Sequence, residues 1–158
     1  MALSTVPIVS DKLYLRDLSD TLKAIEGECK DELRAWVMIR QATEGDVAAI
    51  ERVRGKGKVI HGQDGSTTEM YDRDTSHVRK EQFKRTVIGV GNISDAANKE
   101  LFKFKAGPNY AVLNMTDDEF SVAYDALPRP VTNAFGLAIL KGNPQWDLRE
   151  NKGESGEE

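Results

Sequence analysis

The chain has 158 residues, of which 39% are hydrophobic and 30% charged, with a formal net charge of −4. That balance fits one small globular domain; it excludes a fully disordered chain and a chain whose charge alone would name its partner. No stretch approaches the roughly 18 apolar residues of a membrane-spanning helix, the opening MALSTVPIVSDK has no basic segment leading into an apolar one, and a single cysteine, Cys29, rules out an internal disulfide and points to a reducing compartment.

The fold class expected from the pattern is α+β: mainly helical, with a short β element and a hairpin. KLYLR at 12–16 reads as a short strand. A helix follows, capped by Ser19 or Asp20. Leu22, Ile25, Cys29, Leu33 and Trp36 recur at spacings of three and four, which puts them on one helical stripe. Gly27 weakens that helix by about 1 kcal/mol relative to alanine and is a place for it to break. Thr43-Glu44-Gly45-Asp46 starts a second helix, with Val47, Ile50 and Val53 on one side, ending before Gly55 and Gly57. Residues 58–71 read as a hairpin turning at Asp64-Gly65, inside a flexible excursion over 55–78, and 72–79 read as a polar linker. Over 79–90, Phe83, Val87 and Val90 fit helical spacing, while TVIGV alone would pass for a strand; the strong helix formers of RKEQFKR tip the balance to helix. Residues 92–97 read as a loop, and Leu101, Phe102 and Phe104 as an apolar patch.

The C-terminal part carries the sharpest local signals. Thr116 followed by Glu119 is a capping box. Phe120, Ala123, Tyr124 and Leu127 form one stripe, Pro128 stops that helix, and Pro130 suits the first turn of the next. Val131, Ala134, Phe135, Ala138 and Ile139 form the next stripe. Leu137 and Leu140 fall partly outside it, so this helix is apolar over more than one face. Gly142 and Asn143 end it, and Pro144 prevents its return. The domain organisation is then one mostly helical domain over 10–146 with a C-terminal helical hairpin, and an acidic, disordered tail over 147–158.

The search for catalytic chemistry returns little. His61 and His77 lie sixteen residues apart in polar segments and, with Cys29, fall short of the roughly four clustered ligands of a Cys/His metal site. The run from Asp72 begins like a calcium loop but has His77 where the turn needs glycine and Phe83 where a bidentate glutamate is needed. Gly55-Lys56-Gly57-Lys58 lacks P-loop spacing, and Gly89-Val90-Gly91 is half of a dinucleotide fingerprint without its third glycine. Asp117, Asp118 and Glu119 are accounted for by a helix N-terminus. Two basic clusters, Arg52/Arg54/Lys56/Lys58 and Arg79/Lys80/Lys84/Arg85, read as solvated helix ends or as contacts for phosphates or an acidic protein surface. No catalytic, cofactor-binding or metal-binding residue is assigned, and the expectation is a protein that is not an enzyme and uses no cofactor.

One pattern goes further. Ile93-x-Asp95, Leu101-Phe102, Met115-Thr116-x-x-Glu119-Phe120, Leu127-Pro128, a helix from Pro130 to Lys141 and Asn143-Pro144-Gln145-Trp146 follow one another in an order that resembles the tail assembly chaperones of long-tailed phages, as does the opening KLYLRDLS. The resemblance runs over residues 10 to 146 and is weak between 55 and 78. It implies a protein of the host cytoplasm, absent from the mature virion, that binds the tape measure protein, keeps it soluble and helps recruit tail tube protein; neither nucleic acid nor membrane is an expected partner, and self-association stays open. Partner contact is expected on the last helix and just beyond it, through Phe135, Leu137, Ile139, Leu140 and Trp146, with Trp146 either folding back over the core or docking the partner. Leu140→Asp is expected to keep the fold and weaken binding. Two other classes fit the composition: a structural virion subunit of the tail completion or connector kind, and a nucleic-acid-binding phage regulator using the basic clusters.

Overall fold

A computed structural model describes residues 6–54, 58–61, 67–70, 75–95 and 97–146, with 54, 58–61, 67–70 and 75 described in their backbone alone. The elements run β1 (Leu13–Tyr14), α1 (Asp20–Glu26), β2 (Trp36–Ile39), α2 (Glu44–Arg54), β3 (Lys58–His61), β4 (Thr67–Met70), α3 (Thr75–Thr86), β5 (Val87–Gly91), β6 (Phe104–Lys105), β7 (Val112–Leu113), α4 (Asp117–Asp125) and α5 (Arg129–Gly142), with short 3-10 turns at Leu15–Leu18, Asp31–Leu33 and Pro144–Trp146. The fold is α+β: among the described residues there are five helices and a three-stranded antiparallel sheet in the order β1-β2-β5, with β3-β4 and β6-β7 as separate two-stranded ladders.

The first helix is much shorter than its apolar stripe. Ser19 caps it by accepting the Leu22 N–H. Gly27 then takes φ 64°, a left-handed conformation in which glycine is unstrained, and the helix ends after Glu26. The chain turns through Asp31–Leu33, and Trp36 opens a strand instead of closing a helical stripe. The expected run Leu22-Ile25-Cys29-Leu33-Trp36 is therefore corrected: Leu22 is buried, while Ile25 and Leu33 are exposed. Period two replaces period three-and-a-half over WVMI, where Val37 and Ile39 are buried and Trp36 and Met38 are half-buried on the opposite side.

The second correction falls at 72–91. The expected linker is helical from Thr75 onward, and the expected helix over 79–90 stops at Thr86, where β5 begins. Helix formers favour α3, but Val87–Gly91 finds a partner in β2, pairing Trp36 with Gly91, Val37 with Val90, Met38 with Gly89 and Ile39 with Val87, with a bulge next to Ile39. Backbone pairing to a distant strand outweighs local propensity here. The 58–71 hairpin is present, with Lys58 opposite Met70 and His61 opposite Thr67; its expected turn at Asp64-Gly65, like the acidic stretch 147–158, lies outside the described residues.

The C-terminal elements follow their local signals. Thr116 Oγ1 accepts the Glu119 N–H at 3.1 Å and Glu119 returns the bond to the Thr116 N–H at 3.1 Å. Hydrogen bonds from the Thr116 backbone and side chain hold the Glu119 carboxyl below its usual range. Pro128 stands at the N-cap of α5 with Pro130 in its first turn. The core gathers on Phe83 of α3, which is fully buried and surrounded by Phe102 (centroids 5.0 Å), Phe135 (5.1 Å), Phe120 (5.2 Å) and Tyr124 (6.0 Å). Such tilted and edge-on ring pairs each add about 0.5–1.5 kcal/mol beyond area burial. Phe83 thus fastens the helical C-terminal pair to the sheet through Val87 and its neighbours.

Candidate functional site

The five residues expected to face a partner divide sharply. Phe135 and Ile139 are core residues, 1% and 2% exposed, and Trp146 folds back to 8% exposure with its N–H bonded to the Asn143 carbonyl. The folded-back alternative is thus the one realised for Trp146. Leu140 packs half-buried against the same core, and only Leu137 is open, at 38%. The helix is apolar over more than one face because it touches two things at once: the aromatic cluster through Phe135, and β2 through the close approach of Gly142 to Ile39, where an added Cβ would come within 3.1 Å of Ile39 Cγ2. A partner cannot reach Phe135, Ile139 or Trp146 unless the domain opens.

The second basic cluster is not a free cationic patch. Lys80 pairs with Asp125 at 2.9 Å, Lys84 with Glu81 and Asp117 at 3.0 and 3.3 Å, and Arg85 with Glu81 and Asp46 at 2.8 and 3.3 Å; Arg79 donates to Asn133. The acids come from α2, α3 and α4, so charges scattered in sequence converge in space. At the centre Arg40 Nη1 donates to Asp46 Oδ2 at 2.7 Å, both side chains more than nine-tenths buried. Thr43 adds its N–H and its hydroxyl to the same carboxylate oxygen. Burial would push the Asp46 carboxyl up, but the bonds from Arg40 and Thr43 and the guanidinium charge hold it below its ordinary value. Burial is likewise outweighed at Glu81, lowered by Lys84 and Arg85, and at Lys84 and Arg85, both raised by their acids.

A cleft of about 230 Å³ opens beside this network, lined by Arg40, Asp46, Lys84 and Arg85 on one side and by Val87, Ile88 and the Tyr110–Val112 segment on the other. The Arg40 guanidinium lies 5.0 Å from the Tyr110 ring centroid, and its Nε is buried without a hydrogen-bond partner among the described residues. Among the described residues no group of three or more His, Cys, Asp or Glu could hold a metal ion, and no helix is long and apolar enough to cross a membrane.

One surface was not legible in the helical reading of 22–36. On the side of β2 away from α5, Trp36 lies over its cross-strand neighbours Gly89 and Gly91: a Cβ at Gly91 would sit 2.1 Å from Trp36 Nε1 and one at Gly89 3.2 Å from its ring. Lys12 Nζ stands 4.6 Å from the Trp36 ring centroid. Met38 and Tyr14 are half-buried beside it, Tyr14 directly opposite Trp36. The signal for this shelf is the pair Gly89-x-Gly91 facing an alternating WVMI, visible only once the two segments are paired.

Neither family models, nor curated proteins, nor solved structures give a match to this chain.

Proposed function

We propose that this chain is a tail assembly chaperone of a long-tailed phage: a protein-binding protein, not an enzyme, that works in the host cytoplasm, holds the tape measure protein soluble, helps recruit tail tube protein and leaves before the virion is complete. The observation that carries the reading is the order of C-terminal motifs, from the Thr116–Glu119 capping box through the Leu127-Pro128 break to the helix that ends at Asn143-Pro144-Gln145-Trp146. Those motifs are the caps and stops of α4 and α5, so their order is an architectural one. Exposed apolar side chains support the reading too. Ile8, Ile25, Leu33, Val122 and Leu137 are all open on the surface of a well-packed domain, and a chaperone for long apolar helices needs such contacts.

The test is co-expression with the tape measure protein encoded beside this gene. Soluble co-purification of the pair is the expected result; a tape measure protein that stays insoluble and uncaptured overturns the reading. A second reading, a structural virion subunit, draws on the outer edge of β1, which has no strand beyond it among the described residues and could pair with a neighbouring subunit. Finding the chain in purified virions would select that reading. The nucleic-acid reading loses one of its two basic clusters as a free patch, because Lys80, Lys84 and Arg85 are matched by acids.

A further inference from the structure

The strand order β1-β2-β5 leaves two outer edges. β5 has β7 packed beside it, whereas no strand lies beyond β1 among the described residues. The hydrogen bonds to β2 show which backbone groups that open edge offers. The Ser10 N–H donates to the Ile39 carbonyl at 2.7 Å, the Gln41 N–H to the Ile8 carbonyl at 2.9 Å and the Leu15 N–H to the Ala35 carbonyl at 3.1 Å, so Ile8, Ser10 and Leu15 face β2. Residues of an antiparallel strand alternate between facing one neighbour and the other, which leaves Val9 and Tyr14 with their N–H and C=O on the open side. Val9 lies opposite Arg40 and Leu13 opposite Val37, so the edge strand takes four steps where β2 takes three. One extra residue, a bulge, therefore sits between Val9 and Leu13. Because of it Val9 and Tyr14, five positions apart, share the face of Arg40 and Trp36 opposite them. Asp11 and Lys12 occupy the bulge. Both are exposed, and neither meets an opposite charge within ion-pair distance among the described residues.

We propose that this edge pairs with the same edge of a second copy of the chain, antiparallel about a twofold axis, with Val9 opposite Tyr14 of the second copy. That register satisfies three requirements together. It joins the residues whose backbone groups face outward, at both ends of the pairing. It lays bulge against bulge, with Ser10 opposite Leu13. It sets Asp11 opposite Lys12 twice, because the axis repeats every contact. A slip of one residue in either direction instead places Asp11 against Asp11 or Lys12 against Lys12, and like charges directly opposite are destabilising. Val9, 43% exposed in the single chain, gains Tyr14 as a cross-strand neighbour, and two three-stranded sheets become one of six strands. The same charges select the occupant. A charged bulge blunts an edge against foreign strands, but Asp11-Lys12 read in the opposite direction is its own complement. The inference stands apart from the chaperone reading. It closes the edge that the virion reading would use for a row of subunits, since a twofold pair does not propagate.

Sedimentation of the full chain over a concentration series tests the pairing. The expected mass rises from 17.5 kDa to twice that value and no further. Lys12→Glu and Asp11→Lys each place two like-charge pairs across the axis and are expected to weaken the dimer about tenfold; Asp11→Lys leaves Lys12 over Trp36 undisturbed. Mixed in equal amounts, the two variants should regain the affinity of the unchanged chain, because each supplies the charge the other lacks. The exchanged chain Asp11→Lys/Lys12→Asp should regain it alone. These are exposed side chains, so each variant is expected to keep the circular dichroism spectrum of the unchanged chain. Amide exchange adds a readout that needs no substitution: the Val9 and Tyr14 N–H groups should slow as concentration rises, while Ser10, already bonded to Ile39, should not change. A chain that stays monomeric at millimolar concentration overturns the proposal. So does a dimer that both reversed variants keep, or one that leaves Val9 and Tyr14 unprotected. A mass that climbs past two copies overturns the closed pair and favours the virion reading.

Discussion

The helical pair α4–α5 and the central sheet are built by opposite rules. In α4 and α5 every boundary is set by a neighbour in sequence: Thr116 and Glu119 cap each other, Pro128 separates the helices, and Asn143 closes the second. In β1-β2-β5 nothing is local. Trp36–Ile39 becomes a strand only because Val87–Gly91 arrives from about fifty residues away, and the Asp46 carboxylate that meets buried Arg40 is shared with Arg85 at the far end of α3. The comparison teaches where sequence patterns are strong. Capping and proline chemistry act over three or four residues and survive any context, whereas strand pairing is decided by which partner is available.

Phe83 is the strongest place to break this division, since its ring touches Phe102, Phe120, Tyr124 and Phe135 and its helix leads directly into β5. Phe83→Ala should destabilise by about 4–5 kcal/mol, at the upper end for a large aromatic in a core. A urea melt followed by circular dichroism should show the loss in one transition; two transitions would mean that the helical pair and the sheet fold separately. Next comes the non-local centre itself. Asp46→Asn leaves the Arg40 guanidinium buried without its counter-charge, at a cost of about 3 kcal/mol. The Asp46 and Glu81 carboxyls both sit below their ordinary values in the folded state. Their stabilisation is therefore complete above about pH 5, past the ordinary carboxylate range, and is lost as pH falls through the lower folded values. Urea midpoints measured from pH 7 down to pH 2 should fall steeply, and Asp46→Asn should flatten that fall; an unchanged slope would remove Asp46 from the account.

The charge centre also marks the limit of what the sequence discloses. Lys80, Lys84 and Arg85 read as part of a basic cluster because Asp125, Asp117 and Asp46, which meet them, stand far away in sequence and are invisible to a local scan. The stripe from Leu22 to Trp36 misled for a related reason. Its spacing is genuinely helical, but Gly27 ends the helix and no core lies opposite Ile25 or Leu33 to reward continuing it. By contrast Phe120, Ala123, Tyr124, Ala134, Phe135, Ala138 and Ile139 were all legible as buried stripes, because their helices are fixed at both ends before packing is considered. For the expected contact surface the same strength worked against the reading: the better a helix's apolar positions agree with its period, the more of them the core takes. Leu137, off the stripe, is the one left open.

Two smaller effects sharpen the contrast. Asn143 accepts the Ala42 N–H at 2.7 Å through Oδ1 and turns Nδ2 toward the Arg40 and Ile139 carbonyls. Asn143→Ala should cost about 2 kcal/mol, the penalty for leaving buried backbone groups unpaired. Thr116→Ala, which removes a strictly local cap at an exposed helix end, should cost about 1 kcal/mol. If differential melts reverse that order, the tie between the two regions is weaker than the cap within one of them.

Asn143 lies 101 and 103 positions from the two backbone groups it joins, and Gly142 is the residue of α5 pressed against Ile39. A chain still being synthesised can cap α4 as soon as that segment leaves the ribosome, yet it cannot seal the inner side of β2 until residue 143 has emerged. Val37 and Ile39 therefore wait uncovered through most of translation, and cooperative closure comes as a late event set by contacts of long sequence separation. Ribosome-stalled chains should turn protease-resistant abruptly, when Asn143 clears the exit tunnel, and not in steps as each helix appears.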